Sequence, residues 1–300
     1  MLKQSMLKNL IYFDSAQFTA DIFESLMEAK IVNIVAVVTT PDRPVGRKHL
    51  LTPSPLAQAA EKYNLPVYKP EKLDEANLAH LKLLKPDIFL VVAYGQYFNQ
   101  NWLSTPTIAT LNIHFSLLPK YRGALCISES LLNGDKETGV TLMEMGEKLD
   151  AGPIISQVKV PISEADNCLT LTGKLRDASK LLLKYELPIY LDGAVSAYPQ
   201  DENRATYTAS YKTKTRQNAY IEWEKIEKAL QKNTPQDYKW SVHNFIRSNN
   251  PEPGAWTTYN NQELKIIKTS LIIDNNFYLD IVQVPGKEPI SWQQYTKNQT

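Results

Sequence analysis

Cysteine is nearly absent: the 300-residue chain has two, Cys126 and Cys168, with no C-x-x-C pair and no histidine at ligand spacing. That excludes a disulfide-stapled scaffold and a structural zinc site, and both cysteines are expected as reduced thiols. Long apolar runs are missing as well. No stretch approaches the ~18 residues that a membrane-spanning helix needs. Met1 to Leu10 has no apolar signal core and reads as a short basic extension. No membrane partner is expected, and the expected compartment is the cytoplasm. Neither charge is in excess: 33 Lys and Arg meet 32 Asp and Glu, a net charge of +1, so the chain as a whole does not advertise a polyanion partner. There is no internal repeat and no low-complexity tract.

What remains is ordinary globular usage. With 43% hydrophobic and 22% charged residues, wholesale disorder, collagen and coiled coil are excluded. At roughly 150 residues per domain the length suggests about two domains. Asn9–Phe13 and Val32–Thr39 are short β-branched runs, and Phe18, Ile22, Phe23, Leu26 and Met27 recur between them at helical spacing. Asp87–Ala93 is continuously apolar, the mark of a strand buried on both faces, and it follows a helix-like Leu73–Leu84. Thr110–Phe115 and Gly139–Met145 add strands around a helix-like Leu125–Leu132. The alternation predicts an α/β domain with a Rossmann-like, largely parallel twisted sheet over residues 1–190.

After Pro188 the character changes. Residues 191–206 are polar and aperiodic and read as a linker. From 207 to 300 a helix near Asp237–Arg247 precedes strand candidates at Thr257–Tyr259, Leu264–Lys268, Leu271–Ile273 and Phe277–Val284, with Asn-Asn turns between them. This smaller β-rich domain carries twelve Lys and Arg against nine Asp and Glu, a weak lean toward an anionic partner.

One constellation carries chemistry. Asn112 and His114 alternate on a predicted strand, so amide and imidazole share a face at its carboxyl end, the edge where open α/β sheets bind ligands. SLLPKYRG (116–123) follows at once, and a second polar loop, Met145 to Gly152, carries Asp150. An amide donor, an imidazole and a carboxylate can stabilise an oxyanion and move a proton. No Ser or Cys stands where a covalent nucleophile would. Taken alone, an N-x-H pair also suits a structural histidine.

The run LNIHFSLLPKYRGA (111–124) followed by ETGVTLMEMGEKLDAGPII (137–155) resembles the 10-formyltetrahydrofolate-dependent formyltransferases. The resemblance implies that Asn112, His114 and Asp150 are catalytic and that no metal takes part. It further implies that 10-formyltetrahydrofolate is framed by Val92, Ala93, Tyr94, Gly95 and Gln96 together with Ser116, Leu117, Leu118 and Pro119. PDRPVGRKHLLTPSPLAQ (41–58), VYKPEKL (67–73), VVAYGQ (91–96) and NNPEPGAWTTYNNQELKI (249–266) resemble the branch of that family acting on methionyl-tRNA, and the likeness runs from Ile11 to VPGKEPIS (284–291). That branch implies an OB-like β-barrel for the second domain, initiator methionyl-tRNA as partner, and a monomer.

Three stretches depart from the family pattern. Gly-Thr-Pro-Asp/Glu-Phe after the first strand becomes Asp14, Ser15, Ala16, Gln17 and Phe18, bulkier where a glycine backbone is usual. Arg-Gly-Ala-Ala-Pro becomes Arg122 to Cys126, and Leu-Asp-Thr-Gly-Asp becomes Leu149 to Pro153, where DAGPII is similar to the glycinamide ribonucleotide transformylases.

Thr40–Leu56, with four prolines, reads by itself as a solvated, stiffened excursion. The resemblance implies that it enters the acceptor arm, with Arg43, Arg47 and Lys48 on phosphates or base edges. Arg247 is expected to join them, and His243 and the lysines at 212, 214, 265 and 268 to extend the track. Two other readings stay open: a nucleotide-sugar N-formyltransferase, and a tRNA-binding relative without activity.

Overall fold

A computed structural model describes residues 7–46, 49–271 and 276–298. The chain forms two compact units, one of Met1–Lys120, Gly139–Val158 and Leu175–Ala205, the other of Tyr121–Thr138, Lys159–Lys174 and Thr206–Thr300. The second unit therefore takes in two stretches that lie before residue 190.

The elements begin with β1 (Asn9–Asp14), α1 (Ala20–Ala29), β2 (Asn33–Val38), β3 (Arg43–Val45), β4 (Leu50–Thr52), α2 (Pro55–Glu61), β5 (Val67–Tyr68) and α3 (Glu75–Lys82). They continue through β6 (Ile88–Val92), α4 (Gln100–Leu103), β7 (Ala109–His114), α5 (Cys126–Leu132), β8 (Glu137–Glu144), β9 (Ile154–Pro161) and α6 (Cys168–Leu191). A seven-stranded sheet has the order β5-β2-β1-β6-β7-β8-β9. From β5 to β7 the strands are parallel, and β8 runs antiparallel to β7. All five β6 residues are buried, as the unbroken apolar run requires. The chain steps outward from β1 through β2 to β5 and then returns to β6 on the other side. Such a reversal opens a crevice at the carboxyl edge, where β1 ends in Asp14, β6 in Val92 and β7 in His114.

Two elements override local signals. Residues 40–56, expected as irregular, contain the hairpin of β3 and β4, with Leu50 63% and Leu51 72% exposed. Its strands, of three residues each, are too short for a periodic signature. Helix α6 continues through Pro188 to Leu191 although an internal proline costs ~3 kcal/mol, because Leu183 and Leu187 are fully buried and tertiary packing outweighs propensity.

The second unit completes the chain with α7 (Trp223–Leu230), α8 (Gln236–Asn249), β10 (Trp256–Tyr259), β11 (Gln262–Leu271), β12 (Phe277–Gln283), β13 (Ile290–Ser291) and α9 (Trp292–Lys297). Asn260 and Asn261 both take positive φ, the geometry of a tight turn between β10 and β11. The two strands expected at 264–268 and 271–273 become one long β11 with register shifts between Ile266 and Thr269, while Ile272 and Ile273 lie outside the described residues. The described residues form a four-stranded antiparallel sheet, β10-β11-β12-β13, the small second domain expected as an OB-like barrel, and the sheet is not closed among the described residues. Helices cover its apolar side: Leu264, Ile266, Leu271, Phe277, Leu279 and Val282 share one core with Ile226, Ala229, Val242, Ile246 and Tyr295.

Candidate active site

Parallel β6 and antiparallel β8 flank β7, setting Asn112 beside Val91 and Met143 and His114 beside Thr141. Asn112 is half-buried, and its side-chain amide makes no hydrogen bond among the described residues. His114 is 6% exposed and turns Nδ1 toward Asp150 Oδ2 at 3.6 Å, an ion-pair distance once the imidazole carries a proton. The three side chains singled out from the sequence thus come from one strand end and one loop. An amide with spare donors, an imidazole and a carboxylate at its flank can bind a developing oxyanion and pass on a proton.

Thr141, which sequence reasoning missed, organises the loop after β7. Its hydroxyl donates to the Ser116 carbonyl at 2.6 Å and accepts from the Leu118 N–H at 3.2 Å and from Gln157 Nε2 at 2.8 Å. Gln157 also reaches the Leu118 carbonyl at 2.9 Å. Ser116, expected to face folate, is fully buried and donates its hydroxyl to the Lys120 carbonyl at 2.6 Å. Leu118 is buried, while Leu117 and Pro119 are half-buried. A polar residue directly opposite the histidine in the next strand was the available signal for Thr141.

The loop that carries Asp150 is drawn tight. Asp150 has φ +49°, and the Ala151 N–H donates to the Lys148 carbonyl at 3.3 Å. A Cβ on Gly152 would collide with the Glu144 carbonyl oxygen, so only glycine lets the turn close on the end of β8. Gly152→Ala is accordingly expected to cost about 1–3 kcal/mol of stability, as overpacking of a tight contact does. Urea titration measures this, and an unchanged midpoint would show that the turn does not rest on Glu144. Across the same strand end Tyr190 donates to Glu144 Oε1 at 2.8 Å, and burial together with that carboxylate pushes its phenol up.

On the other side of the edge, Asp14 is fully buried and bends back into its own turn. It accepts from the Ala16 N–H at 2.8 Å and the Thr19 hydroxyl at 2.6 Å, and burial raises it to about 7. Ser15 Oγ donates to the Ala93 carbonyl at 2.9 Å and accepts from the Gly95 N–H at 3.3 Å, tying the turn to the loop after β6. Within that loop Val92 is buried at the strand end, Ala93 takes φ +47°, and Gly95 is exposed. Tyr94 packs edge-on against Phe13 and Phe98, its buried hydroxyl has no hydrogen-bond partner among the described residues, and burial pushes the phenol up to about 12. Gln96 accepts from the Leu73 N–H at 2.8 Å and donates to the Pro70 carbonyl at 3.3 Å, which makes it a fastener of residues 70–73.

The expected anion track divides. Arg43 is exposed on the hairpin, and Arg47 and Lys48 lie outside the described residues. Arg247 requires a correction. It is 6% exposed, and its guanidinium donates to Asn244 Oδ1 and the Ser163 carbonyl, both at 2.9 Å. It fastens the second unit internally and does not present a cation to phosphate. His243 is 2% exposed between Thr269 Oγ1 at 2.8 Å and the Glu164 carbonyl at 3.0 Å. Burial lowers its pKa to about 4, so it is neutral near pH 7 and cannot extend the track as a cation. Lys212 and Lys268 are exposed, and Lys265 is half-buried.

Comparison with known proteins shows which family the chain resembles. Residues 8–185 match the family model "Formyl transferase", and residues 236–288 match "Formyl transferase, C-terminal domain". The chain is 37% identical over 267 residues to the methionyl-tRNA formyltransferase of Staphylococcus epidermidis, covering 89% of this chain and 81% of that protein. It is 39% identical over 258 residues to the methionyl-tRNA formyltransferase of Halalkalibacterium halodurans, covering 86% and 76%. Among solved structures, an N-formyltransferase from Helicobacter canadensis, in complex with folinic acid and dTDP-3-aminofucose, superposes with a TM-score of 0.60. It is 21% identical and covers 89% of this chain and 88% of that one, a likeness of fold.

Proposed function

The chain belongs to the formyl transferase family, and from that premise we infer that it transfers a formyl group to the α-amino group of methionyl-tRNA, with 10-formyltetrahydrofolate as donor. The observation that carries this reading is His114 paired with Asp150 at the carboxyl edge of the sheet, with Asn112 two residues earlier on the same strand, in a chain whose relatedness to methionyl-tRNA formyltransferases spans both family domains. The neutral amine attacks the formyl carbon. As the carbonyl oxygen gains charge, the Asn112 amide and protonated His114 donate to it, a contact strengthened in a water-poor site. Asp150 orients the imidazole and takes the proton that the amine sheds, directly or through water. The leaving nitrogen of the folate departs as the tetrahedral centre collapses, taking up the proton the amine shed, returned from Asp150 directly or through water. Val92 to Gln96 and Ser116 to Pro119 are the segments proposed to frame the pterin.

A direct assay tests the reading: the protein is mixed with 10-formyltetrahydrofolate and either charged initiator tRNA or an amino sugar nucleotide. Formylmethionyl-tRNA is the expected product. Formylated sugar with untouched tRNA would replace this reading with the sugar N-formyltransferase, and no product on either would favour a silent tRNA-binding relative.

For tRNA the proposed contact is the segment 40–56, whose hairpin projects exposed Arg43 and whose sequence adds Arg47 and Lys48. Arg47→Ala is expected to weaken use of methionyl-tRNA, leave folate binding unchanged, and reduce the slope of log affinity against log salt by about 0.7–0.9. Filter binding at several salt concentrations measures this. Identical slopes for both proteins would make the segment a solvated excursion.

A further inference from the structure

Residues 191–206 read from sequence as a linker, yet part of that segment is built into the catalytic loop. Tyr198 and Ile154 exchange both backbone hydrogen bonds, at 2.8 and 2.9 Å, so the chain lies alongside the start of β9. Two residues on, Gln200 extends its side-chain amide over the Asp150 turn. Nε2 donates to the Asp150 carbonyl and to the Gly152 carbonyl, each at 2.8 Å. One NH2 group thereby fixes the two carbonyls that bracket Ala151.

That bracket matters because Asp150 takes a left-handed backbone conformation. Its φ of +49° is uncommon for a residue with a Cβ and persists only where the surroundings over-determine it. Three contacts do so: Ala151 closes on Lys148, Gly152 rests on the Glu144 carbonyl, and Gln200 holds the outer carbonyls. Of these three, the last comes from a side chain outside the loop. With the backbone of Asp150 held, its carboxylate is delivered 3.6 Å from His114 Nδ1.

We propose that Gln200 is a positioning residue of the formyl-transfer reaction, acting through the backbone of Asp150 to set its carboxylate against His114. This rests on the reading of Asp150 as catalytic. Without the clamp the turn keeps its fold but samples other carbonyl orientations, and the carboxylate spends less time at the imidazole. The loss falls on the chemical step and not on binding, since Gln200 is assigned no contact with folate or tRNA.

The test is a double-mutant cycle on the full chain, read as kcat and KM for methionyl-tRNA formylation. Gln200→Ala is expected to lower kcat on the order of 10- to 100-fold, the scale of loss from a misplaced catalytic group, with KM within about twofold. Gln200→Lys restores N–H donors to the two carbonyls and is expected to recover most of the rate. Gln200→Glu, of nearly the same shape but without donors when ionised, is expected to match or exceed the loss in Gln200→Ala, and it keeps the test decisive if the alanine variant folds poorly. In an Asp150→Asn background, Gln200→Ala is expected to cost little more, because a residue acting only through Asp150 has nothing left to position. A wild-type kcat in Gln200→Ala, or two losses that multiply, would overturn the proposal. If Asp150→Asn alone keeps full activity, it is the reading of Asp150 that fails, and the two failures are told apart.

Discussion

Asn112→Ala and His114→Ala are each expected to lower kcat for methionyl-tRNA formylation by on the order of 100-fold or more, and Asp150→Asn is expected to be similarly damaging. An amide or imidazolium that meets the oxyanion only as it forms contributes to the transition state and little to the ground state. The signature is a fall in kcat and kcat/KM together with KM nearly constant. Folding should survive in each case, for different reasons. The Asn112 amide has no partner among the described residues, so removing it leaves no buried group newly unsatisfied. His114 is more enclosed, but Asp150 beside it keeps 17% of its side chain exposed and retains access to water. Asp150→Asn preserves the shape of the side chain while removing its charge. Steady-state kinetics with matched thermal melts checks all three, and near-normal turnover in any two of them would remove the site from this edge of the sheet.

The parts of this architecture that announce themselves in the sequence are those where burial imposes a period. β6 is legible because a strand covered on both faces must be apolar throughout, and the Asn112–His114 pair because alternation puts both on one face of a strand that ends at a ligand edge. The rest depends on partners far along the chain. Nothing near Gln200 hints that its amide will reach Asp150 and Gly152, some fifty positions away. Arg247 and His243 look like surface cations beside the apolar Val242 and Ile246, but α8 is enclosed by α5 and β11, and that widens its buried face to include them. The sheet expected by resemblance as a barrel is not closed among the described residues, and helices cover its apolar side, a choice that strand patterns alone do not express.

Asp14→Asn is expected to remove a large part of the pH dependence of stability. In the folded chain Asp14 is fully buried, and desolvation raises its pKa to about 7, against hydrogen bonds from Thr19 and Ala16 that favour the carboxylate. Unfolded, an aspartate titrates near 3.9. Between these values the folded state holds a proton that the unfolded state has released, so stability falls as pH rises from about 4 to about 7 and is level beyond. At about 1.36 kcal/mol per unit the full penalty approaches roughly 4 kcal/mol, of which roughly 2–3 kcal/mol is incurred between pH 5 and pH 8. The asparagine of the variant can still accept from the Ala16 N–H or the Thr19 hydroxyl through its carbonyl oxygen and carries no charge to bury. Urea titrations of both proteins at pH 5 and pH 8 give the four stabilities needed, with the wild type losing more than the variant. Equal losses would mean that the Asp14 carboxylate is ionised in the folded state throughout this range, stabilised by its own turn enough to offset burial. The result bears on the site as well as on the fold: the neighbouring Ser15 hydroxyl ties this turn to Ala93 and Gly95, so a charge forced into the turn loads the loop proposed to frame the pterin.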